Sequence, residues 1–282
     1  MKSRVSSFLF AIFISLFCSF CLASSKQSNL DKLILLSGLP KQTNEFPELV
    51  KSSFKQGVQQ GGSIPEDEMS LLLDSIDKAI LPSVILNEVQ LSLEKSLSNR
   101  DIETLLQWYE SDIGERITKA EEKASTPQAY QDMIHSAQQL LANTKRVEVA
   151  KRLDNLLGTT DMTMEIQKFS SIAVYSAIMT TLTPDQELDL ATYKAQMAKI
   201  EPQMRASIQQ FVIVSFVYSY RSIDDGSLAR YEQFLNRPVT KKFNSSVVAG
   251  LMSGLKKVLA NWADDIAAFL KDKVTRQSLS GA

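Results

Sequence analysis

The sequence predicts an all-α protein: two tandem, diverged helical units packed as one body behind an N-terminal export signal. Three observations predict it. Apolar residues recur at three- and four-residue spacing along nearly the whole chain, helix start and stop signals punctuate that pattern, and no stretch alternates with period two over more than a few residues. Phe211 to Tyr220, rich in β-formers, carries the weakest helical signal of the set.

Residues 1–23 have the three parts of a secretory signal peptide. Lys2 and Arg4 give a cationic start, Phe8 to Leu22 is almost wholly apolar, and Cys21-Leu22-Ala23 places small residues before a cut between Ala23 and Ser24. The apolar run is short for a membrane span, which needs about 20 residues. Two localisations follow: a cleaved signal and a periplasmic mature chain with no stable membrane span, or an uncleaved signal anchoring the chain in the inner membrane. Cleavage would leave 259 of the 282 residues, with 29 bases against 32 acids and no cysteine, since Cys18 and Cys21 depart with the signal. An exported chain without disulfides must be held by its packed core, which this length can supply. The near-neutral balance, 31 basic against 32 acidic residues, offers no footprint for nucleic acid.

The first unit is read at 28–145. Leu30, Leu33 and Leu36 form a helical stripe that Gly38 stops, and Phe46, Leu49, Val50, Phe54 and Val58 continue the period to Gly61-Gly62. Ser63 and Glu66 make a capping box around Pro65, and Pro82 opens a further helix through Leu97. Ser98 with Asp101 starts the helix bearing Ile102, Leu105, Trp108 and Tyr109; Thr126-Pro127 starts the one bearing Tyr130, Ile134, Ala137 and Leu141.

The second unit is read at 146–275, followed by a disordered tail at 276–282. Leu153, Leu156 and Gly158 repeat Leu33, Leu36 and Gly38, and Ile166, Phe169, Val174 and Ile178 follow at the same offset. Pro184, in the capping box Thr183-Pro184-Asp185-Gln186, repeats Pro65, and Leu228, Tyr231, Phe234, Leu235, Val239 and Phe243 repeat Ile102, Leu105, Trp108, Tyr109, Ile113 and Ile117. From Pro238 an apolar residue recurs at nearly every turn through Phe269, with Ser246, Gly250 and Gly254 on one face suited to a tight internal helix crossing. Such units bury their apolar faces against each other rather than standing alone.

The stretch Leu105-Leu106-Gln107-Trp108-Tyr109-Glu110-Ser111-Asp112-Ile113-Gly114 resembles the signature of a bacterial family, domain of unknown function 2059 (DUF2059). Its members carry a signal peptide, a Leu-rich first helix ending in Gly, and a helix closing with aromatic-Tyr-x-Ser-x-x-Gly. Tyr109, Ser111 and Gly114 match, with Trp108 in place of the usual Phe and Asp112 in place of a common Pro. In the second copy Phe234 and Pro238 hold the aromatic and Pro positions, while Arg237 and Thr240 replace Ser and Gly. The resemblance implies an exported, helical, periplasmic protein of a Gram-negative bacterium and brings no catalytic residues with it. The residues themselves describe a helix–turn–helix corner, in which Ser111 caps and Gly114 permits close approach.

Nothing else in the sequence assembles a reactive site. His135 is the only imidazole and lacks partners for a metal or a triad. Glu66-Asp67-Glu68, Glu121-Glu122, Asp224-Asp225 and Asp264-Asp265 read as helix-start and solvated charges, because adjacent residues on a helix face different ways. No cofactor or metal is expected. The expectation is a non-enzymatic protein that binds another protein or an envelope component through a helical surface. A carrier of an apolar or lipid ligand between the units ranks second, and a hydrolase of envelope polymers third.

Overall fold

Helix boundaries fall where the side chains that make them were read. In the computed structural model, which describes residues 25–48, 50, 51, 55, 66–182 and 189–280, every described element is helical. Helix α1 (25–36) ends at Gly38, whose φ of 74° is a left-handed conformation open to glycine, and α2 (Leu39–Asn44) follows directly. After α3 (Glu66–Ala79), α4 (Pro82–Ser96) opens on its proline. Ser98 and Asp101 form the full reciprocal capping box of α5 (Asn99–Tyr109). Ser111 caps α6 (Asp112–Ala124), Thr126 caps α7 (Pro127–Ala142), and Asn143 caps α8 (Thr144–Leu157). Gly158, at φ 67°, stops α8 as Gly38 stops α1. The chain continues as α9 (Thr159–Leu182), α10 (Leu190–Ser219), α11 (Asp225–Leu235, capped by Asp224) and α12 (Pro238–Ser280).

Phe211 to Ser219, the weakest helical signal in the sequence, is helical as read, because α10 packs on α7 and α8 and buries Val212, Ile213, Val214 and Val217 there. Two expectations are corrected. Helix α12 runs to Ser280, through most of the segment read as a tail. On α7 the stripe expected to point inward is turned: Ala129 and Met133 are buried, whereas Tyr130 and Ile134 are exposed. The signal segment with Ala23 and Ser24, the Gly61-Gly62 turn and both Pro65 and Pro184 lie outside the described residues.

Helix α12 is the axis of the body, and α4 is its most extensive partner. The small-residue stripe makes that contact close: a Cβ on Gly254 would stand 2.6 Å from the Ile85 Cα, and one on Gly250 would collide with the Val89 backbone. At the same seam the Ser92 hydroxyl donates to the Ser246 carbonyl at 2.8 Å, and Ser246 Oγ donates to Ser96 Oγ at 2.6 Å. One core therefore spans both halves, joining Leu30, Leu33, Ile85 and Leu105 to Leu228, Phe234, Leu255 and Trp262. Each such side chain stabilises the fold by about 1.5–3 kcal/mol on burial.

The halves also differ. Thr126-Pro127 breaks the first half's last stretch into α6 and α7, whereas α12 runs unbroken; Pro82 separates α3 from α4, whereas α10 continues through Pro202.

Candidate functional site

The signature residues meet at the crossing of α5–α6 with α11–α12. Trp108 ends α5 half-buried, and its ring lies flat on Phe234, centroids 4.3 Å apart and planes 7° apart. It also stacks on Tyr231 at 6.0 Å, while Tyr109 meets Phe234 and Phe243 edge-on at 5.9 and 6.0 Å. Trp108 and Phe234 are thus in contact across the body. Ser111 Oγ donates to the Trp108 carbonyl at 2.6 Å and accepts from the Gly114 N–H at 3.1 Å. A Cβ on Gly114 would fall on the Trp108 carbonyl oxygen, so glycine is required for this corner to close. Pro238 opens α12, and Thr240 is fully buried with an unpartnered hydroxyl.

Beside the aromatic seam sits a polar group that sequence reading placed in solvent. Glu121, near the end of α6, accepts through Oε1 from the Tyr220 hydroxyl at 2.6 Å and from the Tyr231 hydroxyl at 2.9 Å. Its neighbour Glu122 turns to Lys41 instead, at 3.3 Å. Adjacent acids do face different ways on the helix; here both are half-buried, and Glu121 is the one that faces the phenols. Burial pushes the Glu121 carboxyl above the usual carboxylate range, the two phenols pull it back in part, and the charge of Glu122 adds to the rise. Tyr109, Tyr220 and Tyr231 are all raised, first by burial and then by the Glu121 charge. The sequence held one usable signal for this group, since the Glu121-Glu122 spacing obliges the two side chains to part.

Other sequence candidates stand apart from that seam. His135 is exposed on α7, with Nδ1 at 2.8 Å from the Gln131 carbonyl of its own helix. Asp224 caps α11 by accepting from the Ser227 N–H at 2.8 Å, and Asp264 and Asp265 are exposed. Among the described residues no group of three metal-ligating side chains converges. No described helix is long and apolar enough to cross a membrane.

Two surface features remain. Tyr130, Ile134 and Phe211 are 46, 51 and 40% exposed, and the Tyr130 and Phe211 rings lie 5.6 Å apart. Charge is sparse around them: α7 holds only Asp132 and His135, and the second half of α10, from Ala206 to Ser219, has no acid or base, its charges Lys194, Lys199, Glu201 and Arg205 lying in the first half. Separately, a groove of about 680 Å³ runs between the α8–α9 turn and α12, lined by Leu156, Leu157, Met162, Val248 and Met252 among others. It lies within the second half and includes none of that half's aromatic residues.

One segment of the chain is similar to a known family. Residues 86–143 match the model of that family, described as an uncharacterized protein conserved in bacteria. The matched region runs from within α4 to the cap of α8 and contains Trp108, Tyr109, Ser111, Gly114 and Glu121; it does not extend over the second half. No curated protein and no solved structure matches the chain. The matched segment supplies Trp108 and Tyr109 to the seam that packs α5 and α6 against α11 and α12.

Proposed function

We propose that this protein is an exported, periplasmic, non-enzymatic DUF2059 protein that binds another protein or an envelope component through the face of α7 and α10. The observation that carries this reading is the aromatic and aliphatic patch of Tyr130, Ile134 and Phe211, the place where exposed aromatic rings of two helices meet, at 5.6 Å between Tyr130 and Phe211. Exposed aromatics with few charges around them are the composition of a protein contact surface. Two diverged copies of one helical unit would account for the paired Gly38 and Gly158 stops and the eleven-residue helices α5 and α11.

Site-specific photo-crosslinking in the native cell tests the binding face. A photoreactive residue at Ile134 or Phe211 is expected to give a discrete adduct that Tyr130→Glu abolishes, while the same probe at Leu91, exposed on α4, gives none. Equal labelling at all three positions contradicts the assignment. N-terminal sequencing of the protein recovered from the periplasm is expected to begin at Ser24. The groove against α12 supports a second reading, a carrier of an apolar ligand held within the second half. Native mass spectrometry of the recovered protein is expected to show a bound lipid if that reading holds.

A further inference from the structure

Four titratable side chains from four helices converge in the aromatic seam, and the function proposed above uses none of them. Glu121 comes from α6, Tyr220 from the end of α10, Tyr231 from α11 and Tyr109 from α5. Tyr220 and Tyr231 are 3 and 6% exposed, their rings stand 5.9 Å apart, and both hydroxyls donate to the same carboxylate oxygen. That oxygen is the shared point at which α6 holds α10 and α11.

We propose that Glu121, Tyr220 and Tyr231 form a proton-dependent clasp, which holds α10 and α11 firmly on α6 when Glu121 carries a proton and loosens when it ionises. Tyr220, Tyr231 and Tyr109 are neutral phenols, Glu122 on its own helix is a like charge that raises the Glu121 carboxyl, and Lys41 pairs with Glu122 at 3.3 Å rather than with Glu121. The ionised form is therefore a half-buried carboxylate whose charge, among the described residues, is met by two phenol hydrogen bonds and no ion pair. A protonated carboxyl keeps both phenols through Oε1 and sheds the charge.

The sign follows from linkage. The folded protein binds this proton more tightly than the unfolded chain, so stability from the clasp is fully present below the ordinary glutamate range of about pH 4.3 and is lost as pH rises through the elevated folded value. One proton limits the effect to at most about a tenfold change in the opening equilibrium per pH unit. Where α7 packs on α10 through Met133 and Val214, the clasp also governs the footing of the Tyr130–Phe211 face; this extension alone rests on the proposed binding role.

Hydrogen exchange on the full-length protein from about pH 5 to pH 9, corrected for intrinsic rates, tests the clasp without any partner. Peptides from α6, the end of α10, and α11 are expected to lose protection as pH rises, by up to about tenfold per pH unit. Glu121→Gln, which mimics the neutral acid, is expected to flatten that dependence. Tyr220→Phe removes a donor that favours the charged form, and is expected to move the loss to higher pH. Parallel pH profiles for the parent, Glu121→Gln and Tyr220→Phe proteins would overturn the proposal. Loss of crosslinking at Ile134 with the pH profile intact would instead count against the binding face alone.

Discussion

The Trp108 indole lies 4.3 Å from the Phe234 ring and 7° from parallel to it, so the last turn of α5 in one half is seated on the last turn of α11 in the other. Their contact makes a joint between the two helices.

That joint predicts an energetic coupling. Phe234, 1% exposed, is expected to cost about 3–5 kcal/mol on truncation to alanine, and Trp108→Ala less, because Trp108 is only half-buried. A double-mutant cycle by urea unfolding is expected to give about 0.5–1.5 kcal/mol of interaction between them. Strict additivity would mean that the stack contributes nothing beyond burial.

The α4–α12 seam predicts intolerance to a single methyl. Gly254→Ala would place Cβ 2.6 Å from the Ile85 Cα, a backbone atom that moves only with its helix. A loss of about 1–3 kcal/mol is expected, against the gain of up to about 1 kcal/mol that Gly→Ala brings in an unobstructed helix. A rise in melting temperature would contradict this crossing.

Thr240 predicts the opposite kind of result. Its hydroxyl is buried without a partner inside α12, so Thr240→Val removes an unsatisfied polar group at nearly constant volume. Thermal unfolding is expected to show stability unchanged or raised by about 1 kcal/mol.

Asp101 gives an acid-side pH dependence. Its hydrogen bond from Lys242, at 2.8 Å, and that from the Ser98 N–H lower its carboxyl from 3.8 to about 2. A depressed folded value means that the stabilisation is present above the ordinary range and is lost as pH falls through about 2. Asp101→Asn is expected to cost about 1 kcal/mol near neutrality and to remove part of the acid-side slope, measured by urea unfolding at several pH values.

Helix ends were legible because local chemistry makes them. Ser98 with Asp101, Thr126 before Pro127, and Gly38 and Gly158 act within one turn of the backbone, so the residues alone announce the element. The stripe of Ser246, Gly250 and Gly254 was also readable as a crossing, although its partner α4 was not, since nothing local names the helix across a seam. Burial failed on α7 for a related reason. Its apolar residues are spread widely enough to offer two faces, and only the approach of α10 decides that Met133 is covered while Ile134 is left exposed. Glu121 was misplaced because a single acid on a charged helix looks solvated until Tyr220 and Tyr231, about a hundred residues away, arrive to donate to it.

The segment that matches the DUF2059 model is expected to be the joint of one cooperative body, and the two tryptophans report on it from different places. Trp108 lies in the aromatic seam, and Trp262, fully buried along α12, donates to Ser75 of α3 at 2.9 Å. Variants Trp108→Phe and Trp262→Phe each leave a single fluorophore. Urea unfolding followed by that fluorescence and by far-ultraviolet circular dichroism is predicted to give coincident midpoints in each variant. A Trp108 transition separated from the loss of helix would contradict the account, since it would show the seam opening while the rest of the body stays folded.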